Sequence, residues 1–410
     1  MTEQRYPFFA NTDCEQFPCH EGIPADQFNC AFCYCPLYAL GPDCGGDFRY
    51  TRSGTKSCEN CAKPHKGTNG IDLVGEHWPK LKALACSNNA GMRRYSVNFT
   101  DSVDDISRFA DAAELEKFCK TYGLSGVELM HLQGWVCDDW SVPPSLVNGL
   151  HLVCMEDWME LDRTLVKAHY AQQFDYAFAR DADYMVVHAS YTPMASIEAL
   201  FAGVDDWLVI DEFAALINEL LADRKPGPWL LLENLWWSGL NLKDPALTKH
   251  LLDSIEYPRC GLMFDTGHYF HTDFGIKTQE AGLAAINAML DAHEQAIPGF
   301  MNFVKGIHLQ QSLAGDYAEA LLADPPQFSA DTDERNGQMY EIAFKMDRHE
   351  PFTCEGVRQL VDRIDPRWVT LEYITSSREQ LQDYLQRGTA ALGFEQQPRA
   401  TITPETAGKE

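Results

Sequence analysis

The stretch "GLMFDTGH", Gly261 to His268, joins a short apolar run to an Asp and, three residues later, a His. An unbroken apolar run of this length suits a strand buried on both faces, as in a parallel sheet. One carboxylate at its end could be a turn residue or a helix cap. An Asp and a His together at the exit of such a strand look more like ligands.

The same design recurs in both directions along the chain. Strand-like runs begin at "YSVNF" (95), "GVELM" (126), "GLHLVCM" (149) and "YMVVHAS" (184). They continue at "WLLLEN" (229), "GLMFD" (261), "KGIHLQ" (305) and "VTLEYI" (369). Amphipathic patterns such as "DEFAALINELLADR" separate most of them, with Leu216, Leu220 and Leu221 on one face. Eight β/α alternations in roughly 300 residues predict an α/β chain folded as a (β/α)8 TIM barrel, with a doubly wound sheet as the alternative. Two connections depart from the pattern. The one after "GVELM" is short of helix and rich in Trp and Pro, and Gln311 to Met346 is long for a simple loop.

Strand after strand ends in a residue that can bind metal: His151, His188, Glu233, Asp265 with His268 beyond it, His308 and Glu372. In a barrel all these ends meet at one face. A single strand His is usually a hydrogen-bonded core residue, and a single Glu a buried structural carboxylate. Seven such residues at equivalent positions, crowded into one apolar-walled mouth, need cations to be stable.

Eight of the 14 cysteines lie between Cys14 and Cys61. They are Cys14, Cys19, Cys30, Cys33, Cys35, Cys44, Cys58 and Cys61, with His20 and His65 nearby. Short C-x2-C pairs bring two thiolates to one ion, so this segment is expected to bind Zn2+ or an iron–sulfur cluster. The other six cysteines sit among apolar neighbours and read as core residues. The expected division is a cysteine-rich module (1–70), a connector (71–92), the barrel (93–395) and a polar, unstructured tail (396–410).

The formal charge of the 410-residue chain is −27, and from Gly91 onward 25 Lys and Arg face 50 Asp and Glu. That balance argues against a nucleic-acid partner, whose phosphates require cationic contacts. No apolar run reaches the length of a membrane span, and the first residues carry no basic-then-apolar leader, so a soluble cytoplasmic protein is expected.

The run "CEQFPCHEG…FNCAFCYCPLYALGPDCGG…GTKSCENCAKPHK", within Tyr6 to Lys66, resembles the cysteine-rich small domain family. That resemblance implies metal binding, a structural or partner-docking role and an association with cobamide metabolism. From Arg94 to Gly393 the chain resembles the xylose-isomerase-like TIM barrels, through "LLLENL", "FDTGH", "GIHL" and "TLEY". This superfamily includes sugar isomerases, epimerases and endonuclease IV (AP endonuclease family 2). The resemblance implies a divalent metal held by Glu233, Asp265, His308 and Glu372. The endonuclease IV branch holds three zinc ions, and its further ligands are matched by His151, His188, His268, Asp347 and His349.

The leading expectation is a multinuclear zinc hydrolase of phosphoesters, with Glu233, Glu372 and His268 catalytic and a small-molecule substrate such as a cobamide nucleotide loop. Trp140, Trp236 and Trp237 are candidate flat faces for that ligand. The alternative is an isomerase or epimerase of a sugar or sugar phosphate that uses one Mn2+, Mg2+ or Co2+. There Glu233 and Glu372 would exchange a proton with substrate carbon. "HLQQSLAGDY" lacks the Arg that the resemblance to epimerases would place after the seventh-strand His. A third reading is a non-catalytic metal or redox sensor.

Overall fold

A computed structural model describes residues 9–51, 56–86, 93–180, 182–191 and 203–394 of the chain. The segment from Gln396, expected to be a tail, lies outside the described residues. The chain forms two compact units, Met1–Ser87 and Asn88–Glu410.

The first unit is loop-rich. It has three 3-10 turns (Ala25–Gln27, Pro36–Cys44, Lys63–His65) and a two-residue ladder pairing Arg49–Tyr50 with Lys56–Ser57. Phe28 and Leu37 are among its few buried apolar side chains. A core this small leaves most of the stabilisation to cross-links. One helix, α1 (Asn69–Cys86), runs through the stretch expected to be a connector and packs on two of the turns. Pro79 lies within this helix. Gly70 allows this packing, since a Cβ there would lie 2.4 Å from the Phe32 ring.

The second unit is a closed barrel of eight parallel strands. These are β1 (Arg94–Thr100), β2 (Gly126–Met130), β3 (Val147–His151) and β4 (Tyr184–His188). They are followed by β5 (Trp229–Glu233), β6 (Cys260–Asp265), β7 (Val304–His308) and β8 (Trp368–Leu371). Each pairs with its sequence neighbour, and β8 closes on β1. Apart from β1, where Arg94, Tyr95, Asn98 and Thr100 are only partly buried, the strands are buried almost throughout, as their largely apolar sequences require.

The outer helices begin where acidic or hydroxyl side chains cap their first N–H groups. Asp111, Asp162, Asp205, Asp244, Thr278 and Ser377 each accept such a bond. Between β2 and β3 the chain makes only a 3-10 turn, Pro144–Leu146. The long segment after β7 folds into two helices, Gly315–Ala323 and Thr332–Met346. These helices pack on Leu235 and Trp237 as a separate apolar cluster.

Tyr184, Val186, Leu231, Met263 and Trp368 fill a layer of the barrel interior. The Tyr184 ring lies against Gly149 on the neighbouring strand, where a Cβ would approach it to 2.2 Å. Gly149→Ala is therefore expected to displace Tyr184 and lower stability by about 1–3 kcal/mol, measured by urea denaturation.

Candidate metal centre

His151, His188, Glu233, Asp265 and His308 are the last residues of β3 to β7, and Glu372 directly follows β8. The register sets His188 beside Glu233 and Asp265 beside His308. His268 arrives on the single turn Thr266–Phe270, whose N-cap is Asp265. Asp347 and His349 follow the helix Thr332–Met346. The Ser312 hydroxyl accepts the N–H groups of Arg348 and His349 at 2.9 and 3.0 Å. It thereby pins a loop in which His349 has a φ of +48°, a conformation that costs free energy for a non-glycine residue.

The structure brings all nine residues into three groups whose ligand atoms lie within 4.8 Å of one another: His151–His188–Glu233, Glu233–Asp265–His308–Glu372 and His268–Asp347–His349. Glu233 belongs to two of them. Its Oε2 lies 3.0 Å from His151 Nε2 and 3.2 Å from His188 Nε2. Its Oε1 lies 3.1 Å from His308 Nδ1, which is also 3.2 Å from Glu372 Oε2. In the third group Asp347 Oδ2 lies 3.2 Å from His268 Nε2 and 2.9 Å from His349 Nε2.

The remaining atoms of these residues are held from outside. His151 Nδ1 and His268 Nδ1 meet the carbonyls of Leu152 and Asn234 at 3.0 and 2.9 Å. A carbonyl can only accept, so those nitrogens carry the proton and Nε2 is left with a lone pair that could bind metal. Asp265 Oδ1 accepts from His268 N and Gln310 Nε2, at 2.6 and 2.9 Å. Its Oδ2, like Glu372 Oε2, is buried without a hydrogen-bond partner.

Without cations, protons have to compensate the carboxylates. Burial would raise the Glu233 carboxyl, but His308 and His188 beside it hold it well below the usual range. Burial, with Glu372 and Glu233 adding to it, raises Asp265 to about 7. Burial would lower His188 and His349, yet Glu233 takes the first up to about 10. Asp347 and Glu372 take the second up to about 9. Orphaned carboxylate oxygens, imidazoles with one nitrogen fixed and exclusion of water together fit divalent cations.

The candidate substrate-binding tryptophans divide. Trp236 borders the ligands, its ring centroid 5.3 Å from that of His268 and 4.7 Å from that of His271, and its Nε1 is buried without a partner. Trp140 donates to the carbonyls of Ile106 and Phe109 and packs against Phe99, so it serves packing. Trp237 lies beneath the two helices that follow β7. Sequence reasoning missed Glu128 and His271, both buried beside the candidate ligands. The signal for Glu128 was a charged residue in the middle of the apolar strand "GVELM".

In the first unit, ligand atoms of Cys19, His20 and His65 lie within 4.8 Å of one another. Cys35, Cys44, Cys58 and Cys61 line one cavity together with Cys33. Lys56 reaches into it, donating to Cys44 Sγ at 3.1 Å. Cys14 is exposed, and Cys30 Sγ accepts from Asn11 N at 3.4 Å.

An eight-stranded parallel barrel carrying carboxylates and imidazoles on its strand ends defines a class of metal-binding TIM barrels. Residues 89–392 match the xylose isomerase-like TIM barrel family, and the chain belongs to it. Residues 5–83 match the cysteine-rich small domain. An uncharacterized protein of Methanocaldococcus jannaschii is 33% identical over 69 residues, which are 16% of this chain and 55% of that one. The chain thus spans about half the length of this curated relative. A candidate xylose isomerase from Rhodospirillum rubrum superposes with a TM-score of 0.46 at 14% identity, over 73% of this chain and 97% of that one. An L-ribulose 3-epimerase does so at 0.38 and 12% identity, over 74% and 93%. Among the described residues no helix is long and apolar enough to cross a membrane.

Stability should report this compensation. His188 and His349 have folded pKa values raised above the ordinary imidazole value, so the stability they contribute is full below pH 6.5 and is lost as pH rises through about 9 and 10. The melting temperature of chelator-stripped protein should fall by several degrees between pH 6.5 and 9.5. A saturating divalent cation should remove most of that slope, since metal then replaces the protons.

Proposed function

We propose that this member of the xylose isomerase-like barrels is a metal-dependent hydrolase of a small-molecule phosphoester, with more than one divalent ion in its barrel. The observation that carries the reading is the placement of Glu233, whose two oxygens face two different sets of imidazoles. A third set, His268, Asp347 and His349, stands beside them. An enzyme using one ion would need only one of these sets.

His151, His188 and Glu233 would hold one ion, Glu233, Asp265, His308 and Glu372 a second, and His268, Asp347 and His349 a third. Zn2+ suits a donor set of imidazoles and carboxylates. When bound, such ions supply Lewis acidity towards a phosphoester and a water that ionises near neutral pH. The chain's own part is to fix geometry: carbonyls of Leu152 and Asn234 orient two imidazoles, and Gln310 and the His268 N–H orient Asp265. Trp236, beside His268, would shield the site from bulk water and offer the substrate an apolar face. A corrinoid nucleotide is one substrate of the right chemistry, in keeping with the cysteine-rich module, which could also dock a protein partner.

A second reading, sugar or sugar-phosphate isomerisation, is favoured by the family itself and by the self-sufficient set Glu233–Asp265–His308–Glu372. One Mn2+, Mg2+ or Co2+ there would leave Glu233 and Glu372 to exchange a proton with substrate carbon.

Elemental analysis of the separately loaded barrel and full chain separates the readings. Three Zn2+ per barrel, with cleavage of bis(p-nitrophenyl) phosphate, is the expected result. A single Mn2+, with epimerisation of a ketose and no ester cleavage, would establish the second reading instead. Glu233→Gln should lower turnover at least about 100-fold while leaving the far-ultraviolet circular dichroism spectrum unchanged. Undiminished turnover in that variant would remove the barrel site from the mechanism.

A further inference from the structure

Beneath the candidate ligands, on β2, Glu128 is 1% exposed, and its two carboxylate oxygens have different surroundings. Its Oε2 accepts from the Tyr184 hydroxyl at 2.6 Å and from the Thr370 hydroxyl at 2.8 Å. Its Oε1 lies 2.9 Å from His308 Nε2. Among the described residues no Lys or Arg lies within ion-pair distance of it, so its counter-charge has to come from the imidazoles and whatever they bind. An ionised carboxylate buried this deeply is costly unless it is matched.

His308 has no exposed surface, and its two ring nitrogens face opposite tasks. Nε2 meets Glu128, while Nδ1 meets Glu233 Oε1 at 3.1 Å and Glu372 Oε2 at 3.2 Å. Glu128 Oε2 already accepts two hydroxyls, and Oε1 lies beside the ring nitrogen that faces away from Glu233, close to it but without a hydrogen bond. Although Glu128 lies close enough to His151, His308 and Glu372 to be counted with them as a ligand, one of its oxygens is taken up by two hydroxyls, and the other lies against His308 on the side away from Glu233.

We infer that Glu128 is a positioning residue of the metal centre: it keeps the proton of His308 on Nε2 and so presents Nδ1 to the Glu233–Asp265–Glu372 group. The carboxylate also strengthens the imidazole as a donor, as carboxylates behind metal-bound histidines generally do. Tyr184 and Thr370 hold Glu128 in place, and Ser96 extends the hydroxyl layer by meeting Thr370 at 3.2 Å. The inference rests on the metal-site reading but not on the choice between hydrolase and isomerase, because both readings use His308.

The test is a Zn2+ titration of chelator-stripped full-length protein against a fluorescent competitor, for wild type, Glu128→Gln and Glu128→Leu. Wild type should bind tightly. Glu128→Gln, which keeps the shape and loses the charge, should weaken one ion about 10-fold, and Glu128→Leu about 100-fold, with the other ions unchanged. Should Glu128→Leu fail to fold, Glu128→Gln alone carries the comparison, and Tyr184→Phe should change affinity by less than about 3-fold, since Thr370 still holds the carboxylate. Nitrogen-15 spectra of the Zn2+-loaded protein should show His308 protonated on Nε2 in wild type, with that proton exchanging faster in Glu128→Gln. Wild-type affinity in Glu128→Gln, or a proton on Nδ1 of His308 in the Zn2+-loaded wild type, would overturn the positioning role while leaving the metal site standing. Failure of wild type to bind metal in the barrel would overturn both.

Discussion

Parallel strands that close into a barrel deliver their last side chains to one face, and here those side chains are carboxylates and imidazoles. Water reaches almost none of them: Glu233, Asp265 and His308 have no exposed surface. Charges held this close and this dry must be balanced locally, by protons or by cations. Much of the surrounding structure follows from that demand. The fixed tautomers of His151 and His268, the capping bond from the His268 N–H to Asp265 and the orphaned oxygens of Asp265 and Glu372 are its local consequences.

The same demand gives the long segment after β7 a role beyond covering the barrel. Its two helices bury Met339, Ile342 and Met346 against Leu235, Trp237 and Ala314. That apolar contact sets where the second helix ends, and Asp347 and His349 follow directly. Ser312, just beyond β7, then fastens the loop by its backbone. Hydrophobic burial outside the site thus offsets the left-handed backbone of His349 inside it, so a candidate ligand pair that no strand could supply is held nonetheless.

How much of this was legible in the sequence depended on periodicity. Strands buried on both faces announce themselves as apolar runs, and the ionisable residue ending each run marks the rim, so the barrel and its strand-end residues could be read directly. Glu128 was passed over because it lies two residues before the end of β2, although strand alternation turns it inward all the same. Asp347 and His349 lie in a loop, where no periodic signal fixes direction, and could be suggested only by resemblance. Residues 71–92 read as a connector because their apolar pattern is short, whereas the helix Asn69–Cys86 covers most of that stretch. Trp140 shows the opposite limit: an aromatic residue near the rim looks the same in sequence whether it faces ligand or carbonyls, and here its N–H faces carbonyls.

Glu233 and His308 show why the centre is a network rather than a row of independent ligands. Glu233 touches His151 and His188 through one oxygen and His308 through the other, so a change in the charge of either group is felt by the other through a single carboxylate. His308 passes that influence downward to Glu128, and Glu128 to the hydroxyls of Tyr184 and Thr370 in the barrel interior. Low dielectric surroundings strengthen each of these links and make any unpaired member costly. Replacing one residue therefore disturbs the balance of charge several ångströms away. The chemistry of the mouth and the packing of the barrel below it are parts of one electrostatic problem, solved jointly by strand ends and core.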